Sequence, residues 1–300
     1  MNNFKLRTGP HKIYKIEKEI FEKETFQIEP YYGLNLKGQS VQFAICPQCD
    51  NPIEIIGLYK KLKNTDRPYG KHYPASVDNL AKYNKEAYDY CPYASKRLVV
   101  TSESRKELTG DFEKSIYYLM REQFDRVIYL LSREIDISIG PNAARKMLDT
   151  YIKMEGWLYP WSSLNNLPWV LGHLSLAKSM FGQLVKKGTS LYNAILENCS
   201  SAMFKSSSLA DYEVLINKPK QWLNIEYCII LHERNVIDGS VIENMQLEVR
   251  EKTGDFEKRF FSKKLTINED YFLNLINLPQ DRSRRNNTLL DIAKKLMPDI

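Results

Sequence analysis

Two cysteines separated by two residues, Cys46 and Cys49, follow a short apolar run and enclose Pro47. The run, residues 41–45, reads VQFAI. Its β-branched and aromatic content predicts a strand that ends at the first cysteine. A tight turn after a strand brings both thiols to one side, where they can bind one tetrahedral metal ion. The pair therefore predicts a metal site whose remaining ligands lie elsewhere in the chain.

The remaining ligands are predicted to be His72 and Cys91, each of which stands next to or near a proline. Together with the cysteine pair they give the pattern C-x2-C-x22-H-x18-C. If His72 does not bind the ion, His11 or Asp50 could supply the fourth bond. Three thiolates and one imidazole would close the coordination shell of Zn²⁺, so we expect a structural zinc site. The ion would pin residues 64–95, which are rich in Pro, Gly, Asn and Tyr and show little periodicity.

Two other interpretations of the cysteine pair remain open. A CPxC pair at a helix N-terminus is typical of redox sites, but Pro52 would fall in the second turn of a helix that begins at Cys46. The pair could also be two buried thiols that act as small apolar side chains.

The composition is that of an ordinary soluble globular protein. Of 300 residues, 43% are hydrophobic and 27% charged, which is enough apolar material for a core without help from disulfides. Five cysteines in a chain of this length do not form a disulfide framework. There is no apolar segment like a signal peptide or a membrane span, and we expect a cytoplasmic protein with no membrane partner.

A basic cluster lies beside the predicted metal site, interleaved with Tyr59, Tyr69 and Tyr73. Basic groups neutralise phosphates and aromatic rings stack on bases, so the cluster is a candidate nucleic-acid surface. The alternative is a solvated face, because the net charge of the whole chain is only +6. The predicted binding residues are Lys60, Lys61, Lys63, Arg67 and Lys71.

The fold class predicted is α+β. An N-terminal zinc-stapled module (1–102) precedes a mainly helical domain (103–300), which carries a small antiparallel β hairpin at about 222–267 and a terminal helix. Helical periodicity favours helices over 111–133, from Asn142 to Ile152, over 165–187 and 190–204, and near 208–216. Alternation of Met245, Leu247 and Val249 with polar residues predicts one strand of the hairpin.

The function predicted is that of a zinc-containing binding protein, which contacts another protein, a second copy of itself or nucleic acid. The alternative is an enzyme whose active-site residues are scattered, since no familiar catalytic motif is present. Its weakest version is a metal-dependent nuclease that uses Asp238, Glu248 and Arg250. His173, Cys199 and Cys228 are interpreted as packing residues.

Overall fold

The computed structural model describes residues 1–60, 65, 67–95, 100–101, 103–107, 110–222, 224–253, 256–279 and 285–300. These residues include one 3₁₀ helix, Gly156–Leu158. They also form eight α-helices: α1 Lys18–Thr25, α2 Lys85–Asp89, α3 Asp111–Ile135, α4 Pro141–Lys153, α5 Leu167–His173, α6 Ser190–Asn198, α7 Glu269–Ile276 and α8 Asn287–Leu296.

The same residues form fourteen strands, which pair only in the antiparallel sense. The strands are β1 Asn3–Phe4, β2 Tyr14–Lys15, β3 Tyr32–Leu34, β4 Ser40–Ile45, β5 Pro52–Ile56, β6 Tyr69–His72, β7 Ile137–Ser138, β8 Lys178–Ser179, β9 Leu184–Lys186, β10 Ala202–Ser206, β11 Tyr212–Asn217, β12 Ile225–Ile237, β13 Ser240–Thr253 and β14 Phe256–Thr266. The α+β class is thus confirmed as a combination of helices with several antiparallel sheets.

The N-terminal sheet has the strand order β3-β4-β5-β6. In β4, Phe43, Ala44 and Ile45 are buried, and β4 pairs with β5 from Gln42↔Ile55 to Ile45↔Pro52. The turn between these two strands is the Cys46–Cys49 segment. Strand β6 lies on the far side of β5, so its last residue, His72, sits at the same end of the sheet as that turn.

Helix α3 is the longest helix described and lies at the centre of the core. The helix predicted over 111–133 is confirmed and extends to Ile135. Its buried stripe includes Ile116, Met120, Phe124 and Leu131, because apolar residues recur at the helical period. Helices α5, α7 and α8 pack against it. None of the described helices combines the length and apolar character that a membrane crossing requires.

Three long strands dominate the C-terminal half of the chain. Strands β12, β13 and β14 form consecutive antiparallel pairs, and the short strand β8 extends the sheet beyond β12. Met245, Leu247 and Val249 are buried on one face of β13, as their alternation predicts. A second sheet, with the order β10-β11-β9-β7, lies between the helices of the middle of the chain.

The helix predicted over 165–187 is wrong beyond His173, where α5 ends. The chain then forms β8 and β9, and Val185 is buried in the sheet with β11 and β7. The helix predicted near 208–216 is likewise strand β11, and the one predicted over 190–204 ends at Asn198. Short apolar runs fit either period, and here pairing with distant strands decides the structure.

One hydrophobic core joins both parts of the predicted domain division. Buried residues from Phe4 in β1 to Met297 after α8 belong to the same cluster. Polar contacts also cross between the two parts, since Asn2 N donates to Gly239 O at 2.9 Å. The boundary between 1–102 and 103–300 stays a prediction, and residue 102 lies outside the described residues.

Candidate metal centre

The Cys46–Cys49 segment forms a tight turn rather than a helix. Cys46 N donates to Asn51 O at 2.9 Å, and Asp50 N donates back to Cys46 O at 3.2 Å. Asp50 adopts the left-handed conformation with φ 55°, which closes the turn. Because no helix begins at Cys46, the helix dipole that the redox interpretation requires is absent from this segment.

Four potential ligands meet at this turn. The Sγ atoms of Cys46, Cys49 and Cys91 and a ring nitrogen of His72 all lie within 4.8 Å of one another. We call these four residues the Cys3His cluster. Its members come from the β4–β5 turn, from the end of β6 and from the residue two positions after α2. The structure thus brings together the four residues predicted as metal ligands.

Two of the six distances between ligand atoms in the Cys3His cluster are close to those around a tetrahedral ion. The Sγ atoms of Cys46 and Cys91 are 3.8 Å apart, and Cys49 Sγ is 3.3 Å from His72 Nε2. Around a tetrahedral Zn²⁺ with bonds of about 2.3 Å to sulfur and about 2.0–2.1 Å to nitrogen, the corresponding distances are roughly 3.8 and 3.6 Å. The cluster could therefore hold a metal ion.

Burial sets the electrostatics of the cluster. The three cysteines are buried and His72 is half-buried. Burial raises the pKa of the Cys46 and Cys91 thiols well above the usual value. For Cys49, burial also acts to raise the pKa, but hydrogen bonds with Cys46, Cys91 and His72 outweigh it and leave the pKa lowered. A bound cation would stabilise the thiolate form of all three cysteines, including the two whose pKa burial raises.

Asn51 connects the cluster to the segment before α2 through hydrogen bonds. It is fully buried, and its Nδ2 donates to Cys49 Sγ at 3.3 Å and to Asn84 O at 3.0 Å. Its Oδ1 accepts from Asn84 N at 2.6 Å. The rings of His72 and Tyr88 pack edge to face at a centroid distance of 4.9 Å. These contacts orient Cys49 and His72, as second-shell groups do in metal sites.

The two alternatives for a fourth ligand are placed differently. The Asp50 carboxylate pairs with the buried Lys5 ammonium and accepts from Gly9 N at 2.7 Å. His11 is exposed and lies outside the Cys3His cluster. A cleft of about 790 Å³ is lined by Cys49 and Asp50, by residues 76–85 and by the start of α3. Cys49 is the member of the Cys3His cluster that borders this cleft.

The predicted basic surface is only partly described. Lys60, Arg67 and Lys71 are exposed, whereas Lys61 and Lys63 lie outside the described residues. Lys71 stands opposite Glu54 in the β5–β6 pair, which lowers the local positive charge.

The tyrosines interleaved with these basic residues are not all free to stack. Tyr73 is buried against Phe43, with a centroid distance of 4.9 Å. Tyr59 is partly exposed and hydrogen-bonds to Tyr32 and Glu22.

The residues of the nuclease alternative do not form one site. Asp238 lies in the turn between β12 and β13, and Glu248 lies eight residues after the first residue of β13. At the rise of a strand, this places them roughly 25 Å apart. The buried Glu248 carboxylate is instead paired with Arg250 and Arg259. That prediction is wrong, because the two carboxylates cannot share an ion.

A second group of ring side chains was not foreseen as a site from the sequence. Tyr159, His173 and His232 meet between the 3₁₀ helix, the end of α5 and β12. In β12, Leu231 and His232 together occupy the place of one residue opposite β13. The resulting break in the alternation of inward and outward residues is the signal that could have revealed His232.

Comparisons of the chain with protein-family models, with curated proteins and with solved structures gave no match. The class that the fold and site define is therefore an α+β protein with a Cys3His cluster that could hold a metal ion.

Proposed function

We propose that the Cys3His cluster binds a structural Zn²⁺ ion. The observation that carries this proposal is the convergence of four ligand atoms from three separated segments within 4.8 Å. Thiolate and imidazole ligands in tetrahedral arrangement select zinc over magnesium, calcium or manganese. Four protein ligands leave no open position for a water molecule, and this favours a structural over a catalytic ion.

Zinc bound at this position would cross-link the two ends of a segment that has little regular structure of its own. Between β6 and α2, residues 73–84 contain turns and a single short bridge, Val77↔Ala81. Binding of the ion to His72 before this segment and to Cys91 after it would convert binding free energy into folding free energy.

We further propose that the stapled module serves as a binding surface for another protein or for nucleic acid. Support for a protein partner comes from four large apolar side chains that stand more than half exposed on one segment: Phe26, Ile28, Leu34 and Leu36. Support for nucleic acid comes from the exposed cations Lys60, Arg67 and Lys71.

Metal content tests the zinc site. Native protein is expected to carry about one Zn²⁺ per chain, and Cys46→Ser and Cys91→Ser are expected to lose both the ion and much of the thermal stability. Cys228→Ser, a change to a partly buried cysteine outside the cluster, serves as the control and is expected to retain the ion. Protein that is purified without chelator and contains no zinc would overturn the proposal.

Two measurements separate the possible partners. Light scattering over a range of concentrations tests self-association, which Leu34→Glu with Leu36→Glu is expected to weaken. Retention on DNA or RNA should fall as salt rises, with a smaller slope when Lys60, Lys61 and Lys63 become alanine. If the protein stays monomeric and binds neither DNA nor RNA at low salt, the remaining form of the proposal is that it binds a different protein.

A further inference from the structure

Three aromatic rings from distant parts of the chain form a nearly equilateral triangle. The ring centres of His173 and His232 are 5.6 Å apart, those of Tyr159 and His232 are 5.7 Å apart, and those of Tyr159 and His173 are 5.9 Å apart. Tyr159 and His232 are buried, and His173 is half-buried at the end of α5. We call these three residues the histidine–tyrosine cluster.

In each histidine, one ring nitrogen is hydrogen-bonded to a backbone or carboxylate oxygen. His173 Nδ1 lies 3.1 Å from Ile229 O and donates to it, because a carbonyl can only accept. His232 Nε2 donates to the Glu243 carboxylate at 2.6 Å. The second ring nitrogens are His173 Nε2 and His232 Nδ1, and the latter is hydrogen-bonded to the Tyr159 hydroxyl at 3.1 Å, a bond that a metal ion would replace.

This arrangement is typical of histidines that bind a metal ion. A metal-binding imidazole usually donates its second N–H to a backbone carbonyl or a carboxylate, which fixes both tautomer and ring orientation. One histidine of the cluster has the first kind of partner and the other has the second. With metal–nitrogen bonds of about 2.0–2.1 Å, two imidazoles on one ion have ring centres roughly 5–5.5 Å apart. The observed separation of 5.6 Å is close to that range.

The fold places the two histidines by specific local features. A β-bulge between Ile230 and Glu233 changes the phase of β12, so Leu231 is exposed and His232 is buried. On the other side, Gly172 lets α5 approach β12 closely, since a Cβ at this position would lie 2.6 Å from Ile229 Cδ1. That approach brings His173 within hydrogen-bonding distance of the Ile229 carbonyl.

Glu243 is itself held firmly behind His232. It accepts from Asn166 Nδ2 at 2.6 Å, and its other oxygen pairs with Arg234 Nε at 3.1 Å. The edge of the Trp161 ring covers His232 at a centroid distance of 5.1 Å. These contacts hold the buried side of the histidine–tyrosine cluster in place. Because His173 is only half-buried, an ion could reach the cluster from solvent on that side.

We propose that His173 Nε2, His232 Nδ1 and the Tyr159 oxygen bind a first-row transition-metal ion, in a second metal site with one coordination position left open. Imidazole ligands suit zinc, copper, iron and nickel, and three protein ligands with an open position are typical of catalytic rather than structural sites. On binding, the Tyr159 O–H bond breaks, an oxygen–metal bond forms and the proton passes to solvent. The site shares no residue with the Cys3His cluster, so it does not depend on the proposed function.

Cobalt titration of zinc-loaded protein tests this site. Co²⁺ absorbs visible light, whereas Zn²⁺ does not, and Co²⁺ does not oxidise thiols. Wild-type protein that metal analysis shows to carry one Zn²⁺ per chain is expected to bind about one further equivalent of Co²⁺. Its d–d absorption should lack the sulfur-to-cobalt charge-transfer band that an ion in the Cys3His cluster would give.

Two variants test the ligands. Tyr159→Phe keeps the buried ring, and His173→Ala changes a half-buried residue at a helix end, so both are expected to fold. Each should weaken Co²⁺ binding at least tenfold, by analogy with the effect of losing outer-shell partners. His11→Ala, which removes an exposed histidine outside the cluster, should bind Co²⁺ like wild type.

Two results would overturn the second site. One is wild-type protein, with zinc retained, that takes up no Co²⁺. The other is unchanged Co²⁺ affinity in both Tyr159→Phe and His173→Ala, with thermal unfolding curves that show both variants folded. Either result would leave the cluster as a set of buried hydrogen bonds.

Discussion

Asn51 illustrates how much of the metal centre depends on a residue that is not itself a ligand. Its amide contacts one ligand sulfur and both backbone polar groups of Asn84, so it ties the β4–β5 turn to the segment before α2. A side chain that is fully buried and holds three hydrogen bonds has a large effect when it is removed.

We predict that Asn51→Ala lowers zinc affinity by about 10–100-fold while leaving about one ion per chain at saturation, because outer-shell contacts orient ligands without replacing them. Competition with a chromophoric chelator measures the affinity. Gln39→Ala, an exposed change in the turn before β4, is the control. Equal affinities in wild type and Asn51→Ala would show that Asn51 only fills space.

Local spacing predicted which residues meet in the Cys3His cluster. Two residues between Cys46 and Cys49 are enough for both thiols to face one side of a tight turn, and His72 and Cys91 stand in an irregular segment close by in the sequence. The histidine–tyrosine cluster has no such local rule, since His232 turns inward only because β12 contains a bulge.

At the scale of elements, the same limit explains the wrong helix over 165–187. The apolar residues after His173 fit a helical period, yet they pair with strands that lie far away in the sequence. No window of neighbouring residues contains that information, and tertiary pairing overrides local preference.

The bulge in β12 provides a prediction about the element as a whole. Leu231 adopts φ 54° and is 56% exposed, so Leu231→Gly should leave the free energy of unfolding unchanged or raise it, since a left-handed leucine costs roughly 1–2 kcal/mol. Deletion of Leu231 removes the extra residue of the bulge but keeps the pairs Ile230↔Gln246 and Glu233↔Asn244 in register, so His232 and Arg234 still face Glu243. Because Glu243 keeps these partners, the expected loss is well below the roughly 3–5 kcal/mol of a broken buried charge pair.

Urea unfolding of wild type and both variants measures this difference. A deletion variant that loses about 3–5 kcal/mol would contradict the prediction and would mean that the bulge itself is needed to hold His232 and Arg234 against Glu243.

For the whole molecule, one contact links the metal centre to the C-terminal sheet and helix. Gln48, which lies inside the Cys46–Cys49 turn, accepts from Arg234 Nη2 at 2.6 Å and donates to the Glu269 carboxylate. Burial, and then the nearby Glu243 carboxylate, raise the pKa of Glu269 from its ordinary 4.5 to about 7, while Gln48 and Arg234 act in the opposite direction.

We predict that the contribution of Glu269 to the free energy of unfolding falls as the pH rises from about 4.5 towards 7. The folded state binds this proton more tightly than the unfolded chain does, so the contribution is present at low pH and is lost as Glu269 ionises. Glu269→Gln should remove this part of the pH dependence. Asp270→Asn, at the exposed neighbouring residue, should not.

Thermal unfolding at several pH values, expressed as the difference between each variant and wild type, cancels the pH dependence of metal binding that all three proteins share. Parallel curves for wild type and Glu269→Gln would contradict the prediction.

The Gln48 contact also bears on the order in which the protein is made. Arg234 and Glu269 lie 186 and 221 residues after Gln48, whereas all four ligands of the Cys3His cluster are synthesised within residues 46–91. An ion that binds this cluster as we propose could therefore be captured during translation, long before Arg234 and Glu269 leave the ribosome. The nascent chain would then expose Gln48 on an already closed turn, to which the C-terminal sheet and helix bind later.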